Sequence, residues 1–419
     1  MFRRTRILQA VLPVLLTTAC ASPTTEQLAT PVAGTTPTQA NLTGSASPGG
    51  SRTAANARSQ PDLSPAPAAM DIKVGTSEPS ARPFKALDGS LDTDIRSFAA
   101  EVARVRNLPV QHVEALLGEA QYNPTAARLM APGKTRIRRS WVTYRARFVE
   151  PIRIRNGQQF WSANATTLRQ TEKLYGVPAS IIVAIIGVET IYGRNTGDFR
   201  VLDALATLGF RYPDPSRPER SELFRNQLAD LIQLDYEGKL NAREATGSFA
   251  GAMGLPQFMP GSLMRFATDG DADGRIDLHG SANDAIVSVA RFLRLHGWVP
   301  NLPVFAPASL PNDPERFVTG GLTPTVDWAA LSAAGARTYT GAATNWQQYK
   351  LGVVNLVDEP RNTVEYRLGT PNFFALTQYN RSYFYASSVA DLARELEQRM
   401  GVTGGSAAVT AQLKTPVER

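Results

Sequence analysis

Glu189 closes the stretch "IIVAIIGV", Ile181–Val188, one of the most apolar runs in this sequence. A carboxyl group at the C-terminal end of an apolar helix meets desolvation and the negative end of the helix dipole. Both favour its protonated form. A carboxylic acid kept neutral near pH 7 is what general acid catalysis requires. The competing reading is a buried glutamate paired with a base, for which Arg194 is the candidate. The stretch alone leaves both open.

Two further segments carry groups suited to a polar ligand. "GSFAGAMGLPQFMPGS", residues 247–262, is dense in Gly and Ala, which let backbone approach a ligand closely. Ser248 and Gln257 supply hydrogen bonds there; without a ligand, the segment reads as a tight packing loop. "LTQYNRSYFYASS", residues 376–388, sets Tyr379, Tyr383, Phe384 and Tyr385 around Asn380. Rings over the apolar face of a sugar, with amides on its hydroxyls, would hold a saccharide. The plain alternative is an aromatic core cluster.

A different chemistry starts at Asp269. "DGDADGRIDLHGSAND" has Asp269, Asp271 and Asp273 at loop positions 1, 3 and 5, Gly274 at 6 and Asp277 at 9. That is the oxygen-ligand pattern of an EF-hand calcium loop, with the Arg275 backbone carbonyl as the position-7 ligand. Position 12 departs from it, because Gly280 stands where a bidentate Glu belongs; Asp284, four residues on, is the candidate to complete the shell. An acidic surface turn that holds no ion is the alternative.

These groups need helices to carry them. The first is expected to start at Pro178, suited to a first helical turn, and to be buried on most sides. "SELFRNQLADLIQLDYEG" puts Phe224, Leu228, Leu231 and Ile232 on one face, with Gly238 as its stop. "NDAIVSVARFLRLHG" takes Asn283 as N-cap and ends at Gly297. "SVADLARELEQRM" spaces Val389, Leu392 and Leu396 as a surface helix would. "GVVNLV" and "TVEYRL" predict a small sheet, so the fold class is mainly α, of α+β type.

The ends of the chain differ in composition from its middle. "MFRRTR", the apolar "ILQAVLPVLL" and the small residues "TTACA" read as a secretory signal over 1–19, too short for a membrane span. The sole cysteine, Cys20, follows it in "LLTTAC", which resembles a lipobox with Thr17 in place of a branched aliphatic. Acylation of Cys20 would anchor the chain to a membrane; ordinary cleavage after Ala19-Cys20-Ala21 is the alternative. Residues 20–84 are rich in Ala, Ser, Thr, Pro and Gly and read as a flexible tether. The folded domain is expected over 85–400, with a loose C-terminal tail over 401–419.

Lys and Arg number 44 against 37 Asp and Glu, a formal charge of +7 that favours an anionic partner or surface. The arginine-rich stretch 134–155 reads as a solvated basic face that would favour an anionic surface; export argues against nucleic acid. His112, His279 and His296 lack zinc spacing, and neither a G-x-S-x-G elbow nor a P-loop is present.

Together, "IIGVETIYGRNTG", "VLDALATLGF", "GSFAGAMGLPQFMP" and "YNRS" resemble the membrane-bound lytic murein transglycosylase B family, in order, from about Tyr144 to Leu396. The resemblance implies a lysozyme-like helical catalytic domain with a small antiparallel sheet and an EF-hand-like loop whose late aspartate is Asp284. It implies cleavage of the β-1,4 MurNAc–GlcNAc bond of peptidoglycan glycan strands without water, leaving 1,6-anhydro ends. Glu189 matches the family's catalytic glutamate. Ser248 is expected to hydrogen-bond it and Gln257 to line the saccharide site, while Tyr144, Tyr379, Asn380 and Tyr385 match other active-site positions. No cofactor is expected for catalysis, and a structural Ca2+ is expected at the loop. The implied place is the periplasm, with the lipid anchor on the inner face of the outer membrane because Ala21 follows the cysteine. Soluble periplasmic or secreted protein is the alternative.

Two rivals stay open. A hydrolytic muramidase would use a second carboxylate, Asp198 or Asp203, to activate water. A non-catalytic peptidoglycan-binding lipoprotein would keep the cleft without cutting. Partners in cell-wall synthesis or division have no signature in these motifs.

Overall fold

A computed structural model describes residues 84–402, apart from 87, 134 and 135, together with the backbone of 412–416. The expected signal segment, Cys20 and all of the expected tether but its last residue lie outside the described residues. The helices α1 (Thr93–Arg106), α2 (Val110–Glu119), α3 (Pro124–Met130), α4 (Trp141–Phe148), α5 (Pro151–Ala163), α6 (Ala165–Tyr175) and α7 (Ala179–Thr190) come first. Then follow β1 (Phe199–Arg200), α8 (Val201–Phe210), α9 (Pro218–Tyr236), β2 (Thr246–Gly247), α10 (Pro260–Phe266) and α11 (Ala282–Leu295). The last part holds β3 (Ala308–Ser309), α12 (Trp328–Ala333), β4 (Arg337–Thr338), β5 (Gly352–Asp358), β6 (Thr363–Gly369), α13 (Pro371–Tyr379), α14 (Tyr383–Met400) and β7 (Gln412–Pro416).

The centre is α7. A helix apolar all round is stable only if covered all round, and every residue from Ala179 to Thr190 is buried. It packs against α14, α5, α6 and α11. Pro178 is its N-cap, one position before the expected first turn. The predicted face of α9 is buried as expected, and Gly238, at φ +67°, ends that helix. Around 302–368 a second apolar cluster forms about Trp346 and the sheet. All the sheets are antiparallel, and β5 and β6 pair from Gly352 opposite Gly369 to Asp358 opposite Thr363. No single described helix is long and apolar enough to cross a membrane.

Four expectations need correction. Phe84, the last residue of the expected tether and the first described, is buried against Phe210 and belongs to the folded part. The N-cap of α11 is Ser281, whose side chain accepts from the Asp284 N–H; Asn283 lies inside the first turn. Helix α14 starts at Tyr383, ahead of the predicted stretch, because Ser382 caps it there; Val389, Leu392 and Leu396 form its buried stripe, as their spacing predicts. Part of the expected loose tail, Gln412–Pro416, is the strand β7: β6 has a second edge to pair, and β7 takes it with an irregular register between Val364 and Tyr366.

Candidate active site

Helix α7 ends in an unusual way. Ile191 and Tyr192 follow Thr190 at φ +52° and +59°, the left-handed region that non-glycine residues, β-branched ones above all, adopt only under constraint. Thr190 supplies part of that constraint: its hydroxyl donates to the Leu255 carbonyl at 3.0 Å and accepts from the Gly193 N–H. The Tyr192 ring supplies more, since its hydroxyl lies where a Cβ on Gly187 or Gly157 would come within 2.4 Å. Those two glycines form the notch that receives it. Arg153, itself buried, donates to the Gly187 carbonyl at 2.8 Å and places a cation at the negative end of α7. The end of the helix is thereby fixed, and Glu189 with it.

Glu189 is 5% exposed. Its Oε1 accepts from the Tyr385 hydroxyl at 2.7 Å, and its Oε2 has no hydrogen-bond partner among the described residues. Burial pushes its carboxyl up to about 8, and the Tyr385 hydrogen bond pulls weakly the other way. No described cation pairs with it; Arg194 lies exposed at the surface, so the ion-pair reading of this glutamate has no support. The free Oε2 is a natural seat for the proton of the neutral acid.

Three buried phenols feel the carboxyl's charge, and Tyr385 alone bonds it. Burial and the Glu189 charge raise Tyr144, Tyr379 and Tyr385 above their ordinary value, which keeps all three as neutral donors. Tyr379 and Tyr385 stack with centroids 6.3 Å apart and planes 11° apart. The Tyr379 hydroxyl donates to the Pro256 carbonyl at 2.6 Å, tying α13 to the 247–258 loop. Asn380, buried, caps the C-terminal end of α13.

The 247–258 loop lies against the end of α7. Gln257, at φ +52°, donates through Nε2 to the carbonyls of Thr196 and Gly254, and Gly247 sits where a Cβ would come 2.2 Å from the Ala252 carbonyl. Ser248 departs from expectation. Its hydroxyl accepts from the Ala252 N–H at 3.1 Å inside its own loop, and the described hydroxyl donor to Glu189 is Tyr385. The tight turn needs that hydroxyl to satisfy its own backbone.

Neither second-carboxylate candidate is among the groups that shift the Glu189 carboxyl. Asp198 is exposed, and Asp203 is held by Arg200 at 2.6 and 2.9 Å and by the Gln121 N–H.

In the acidic loop, Asp269, Asp271 and Asp273 each bring a carboxylate oxygen within 4.8 Å of the others. Backbone N–H groups led by Gly274 hold the Asp269 carboxyl below its ordinary value. The Arg275 N–H donates to Asp273. Asp284 is not one of that trio: buried at the start of α11, it accepts from the Gly270 and Asp277 N–H groups, both at 2.7 Å. The three converging carboxylates, Asp269 half-buried and the other two exposed, are of the type that binds a hard cation, while Asp284 holds the loop through its backbone N–H groups.

Residues 90–394 match the family described as Transglycosylase SLT domain. The membrane-bound lytic murein transglycosylase B of Escherichia coli (strain K12) is 38% identical over 257 residues, 61% of this chain and 67% of that protein. The soluble lytic transglycosylase SltB1 of Pseudomonas aeruginosa superposes with a TM-score of 0.65 at 38% identity, covering 74% of this chain and 99% of that one. The Escherichia coli lytic transglycosylase Slt35, solved in complex with calcium, does so with a TM-score of 0.62 at 32% identity, over 74% of this chain and 94% of that one. The helical architecture with its small antiparallel sheets is thus that of the lysozyme-like lytic transglycosylases. With sequence and fold matching over the same span, the chain belongs to the transglycosylase SLT family and is a lytic transglycosylase.

Proposed function

We propose that the chain cleaves the β-1,4 bond between N-acetylmuramic acid and N-acetylglucosamine in peptidoglycan without adding water. Neutral Glu189 donates its proton to the glycosidic oxygen as the C1–O4 bond breaks. The resulting carboxylate then takes the proton of the muramyl 6-hydroxyl as the C1–O6 bond forms. Glu189 ends as it began, and the new end is 1,6-anhydro. The substrate's acetamido group stabilises C1 between the two steps. Tyr385 holds Oε1 throughout and steadies the carboxylate stage. The observation that carries this reading is one buried carboxyl, neutral near pH 7, with no second carboxylate among the groups that shift it. A hydrolytic muramidase would need one. Ser248, Gln257, Tyr144, Tyr379 and Asn380 are assigned to the saccharide cleft.

Mass spectrometry of peptidoglycan digested by the full chain tests it. New ends lighter by one water support the reading. Ends that carry the full water would make the enzyme a hydrolase, and retained binding with no new ends would make the chain a wall-binding protein.

We further assign Asp269, Asp271 and Asp273, with the Arg275 carbonyl, to a structural calcium ion. The ion would offset the mutual repulsion of three carboxylates and has no part in bond cleavage. Asp284 is assigned to support the loop. Export to the periplasm, with acylated Cys20 anchoring the chain at the inner face of the outer membrane, completes the reading; metabolic labelling with a radioactive fatty acid, lost in Cys20→Ser, tests the anchor.

A further inference from the structure

Asp391 lies on α14, six residues beyond Tyr385, and is 2% exposed. Arg145 of α4 donates through Nε to its Oδ2 at 2.6 Å. Arg367 of β6, also buried, donates to both of its oxygens at 2.8 and 3.1 Å, and Arg394 stands at 4.0 Å on the same helix. The network continues. Arg367 donates through Nε to Glu365 at 2.6 Å, and the other oxygen of Glu365 accepts from the Trp141 indole at 3.0 Å. Trp141 and Arg145 belong to α4 and flank Tyr144 on it. The Tyr144 ring packs against Phe148 at 5.0 Å and Phe384 at 5.4 Å, and Phe384 precedes the residue that bonds Glu189.

One helix therefore does two things. Through Tyr385 it holds Glu189, and through Asp391 it ties down the helix that carries Tyr144. Eight residues are too few for α4 to hold its own orientation, so its attachments set it. Buried ion pairs add little net stability over apolar packing, and in some proteins they fix the register of the elements they join. Burial pushes the Asp391 carboxyl up, but Arg367 and Arg145 outweigh it, so the group stays charged.

We propose that Arg145 and Asp391 are positioning residues of the reaction, keeping Tyr144 set against Glu189 through the ion pair between α4 and α14. The assignment rests on the role of Glu189 given above. Arg145 is the better handle, since its side chain is 31% exposed and Asp391 keeps Arg367 without it. Its contact runs through one N–H, so a lysine ammonium can replace it, which would not hold for the two-point grip of Arg367.

Steady-state cleavage of solubilised glycan strands by the full chain is the test, with Tm measured on each variant. Arg145→Met should lower kcat about tenfold with KM and Tm nearly unchanged, and Arg145→Lys should restore most of the loss. In a Tyr144→Ala background, Arg145→Met should add no further loss, because it acts through Tyr144. Unchanged kcat in Arg145→Met, or an equal loss in the Tyr144→Ala background, overturns the proposal. Should Arg145→Met not fold, Arg145→Gln takes its place under the same criteria. A wild-type enzyme that made no new ends would overturn the proposed function itself, and this role with it.

Discussion

At the end of α7 a single carboxyl sits 5% exposed with one oxygen unbonded, whereas in the 269–273 turn three carboxylates stand together at the surface within 4.8 Å. The functional group is the same and the surroundings are opposite. Burial without a counter-charge lifts Glu189 to about 8. Converging backbone N–H donors, with Gly274 foremost, hold Asp269 below its ordinary value. The first setting makes an acid and the second a cation ligand; neither could do the other's task. A carboxyl group's chemistry in this fold is set by whether donors or apolar atoms fill the space around it.

The comparison breaks hardest at Glu189→Gln, which keeps shape and burial but has no proton to give. Cleavage should fall by about 10³ or more with glycan binding kept, measured by release of new ends and by pull-down on insoluble wall. The same variant sharpens the electrostatic contrast. A folded-state value near 8 against an unfolded value near 4.5 means that the native state holds the Glu189 proton more tightly. Its contribution to stability is full below about 4.5 and is lost as pH rises through about 8. Relative to wild type, Glu189→Gln should therefore gain stability between pH 5 and pH 8, read from denaturant midpoints at the two values; equal differences at both would contradict the raised pKa.

Tyr385→Phe should have a smaller effect, about tenfold on kcat. Loss of its hydrogen bond removes what pulls the Glu189 value down, so the alkaline limb of kcat/KM, expected near pH 8 in the wild type, should move upward. A limb that stays in place would mean that the profile reports another group. The mildest perturbation lies at the other site. Asp271→Asn, or a calcium chelator on wild type, should lower Tm by about 5 °C and leave kcat unchanged once the protein is folded. A chelator effect on kcat in fully folded enzyme would move the ion from structure to chemistry.

Glu189 was legible because a carboxyl at the end of eight apolar residues violates the ordinary pattern, and α7 itself followed from the same run. The turn 269–274 was legible because its spacing is local. What could not be read were partners set by packing: Tyr385 reaches Glu189 across 196 positions only because α14 crosses α7. Nor does the sequence show that the Ser248 hydroxyl accepts from the Ala252 N–H within its own turn. Asp391 and Arg145 resembled any other charges on helices; only burial reveals them as a pair. Ser281 and Asn283 were both suitable caps two residues apart, and sequence does not rank them.

Full burial of α7 also bears on time. Its amide hydrogens can meet solvent only when the surrounding helices separate, so they should exchange through global unfolding and number among the slowest in the chain. Hydrogen exchange at residues 183–190 would then serve as a clock for the whole domain. A variant in which these amides exchange early has lost its core, while one that is inactive with the slow clock intact has lost its chemistry.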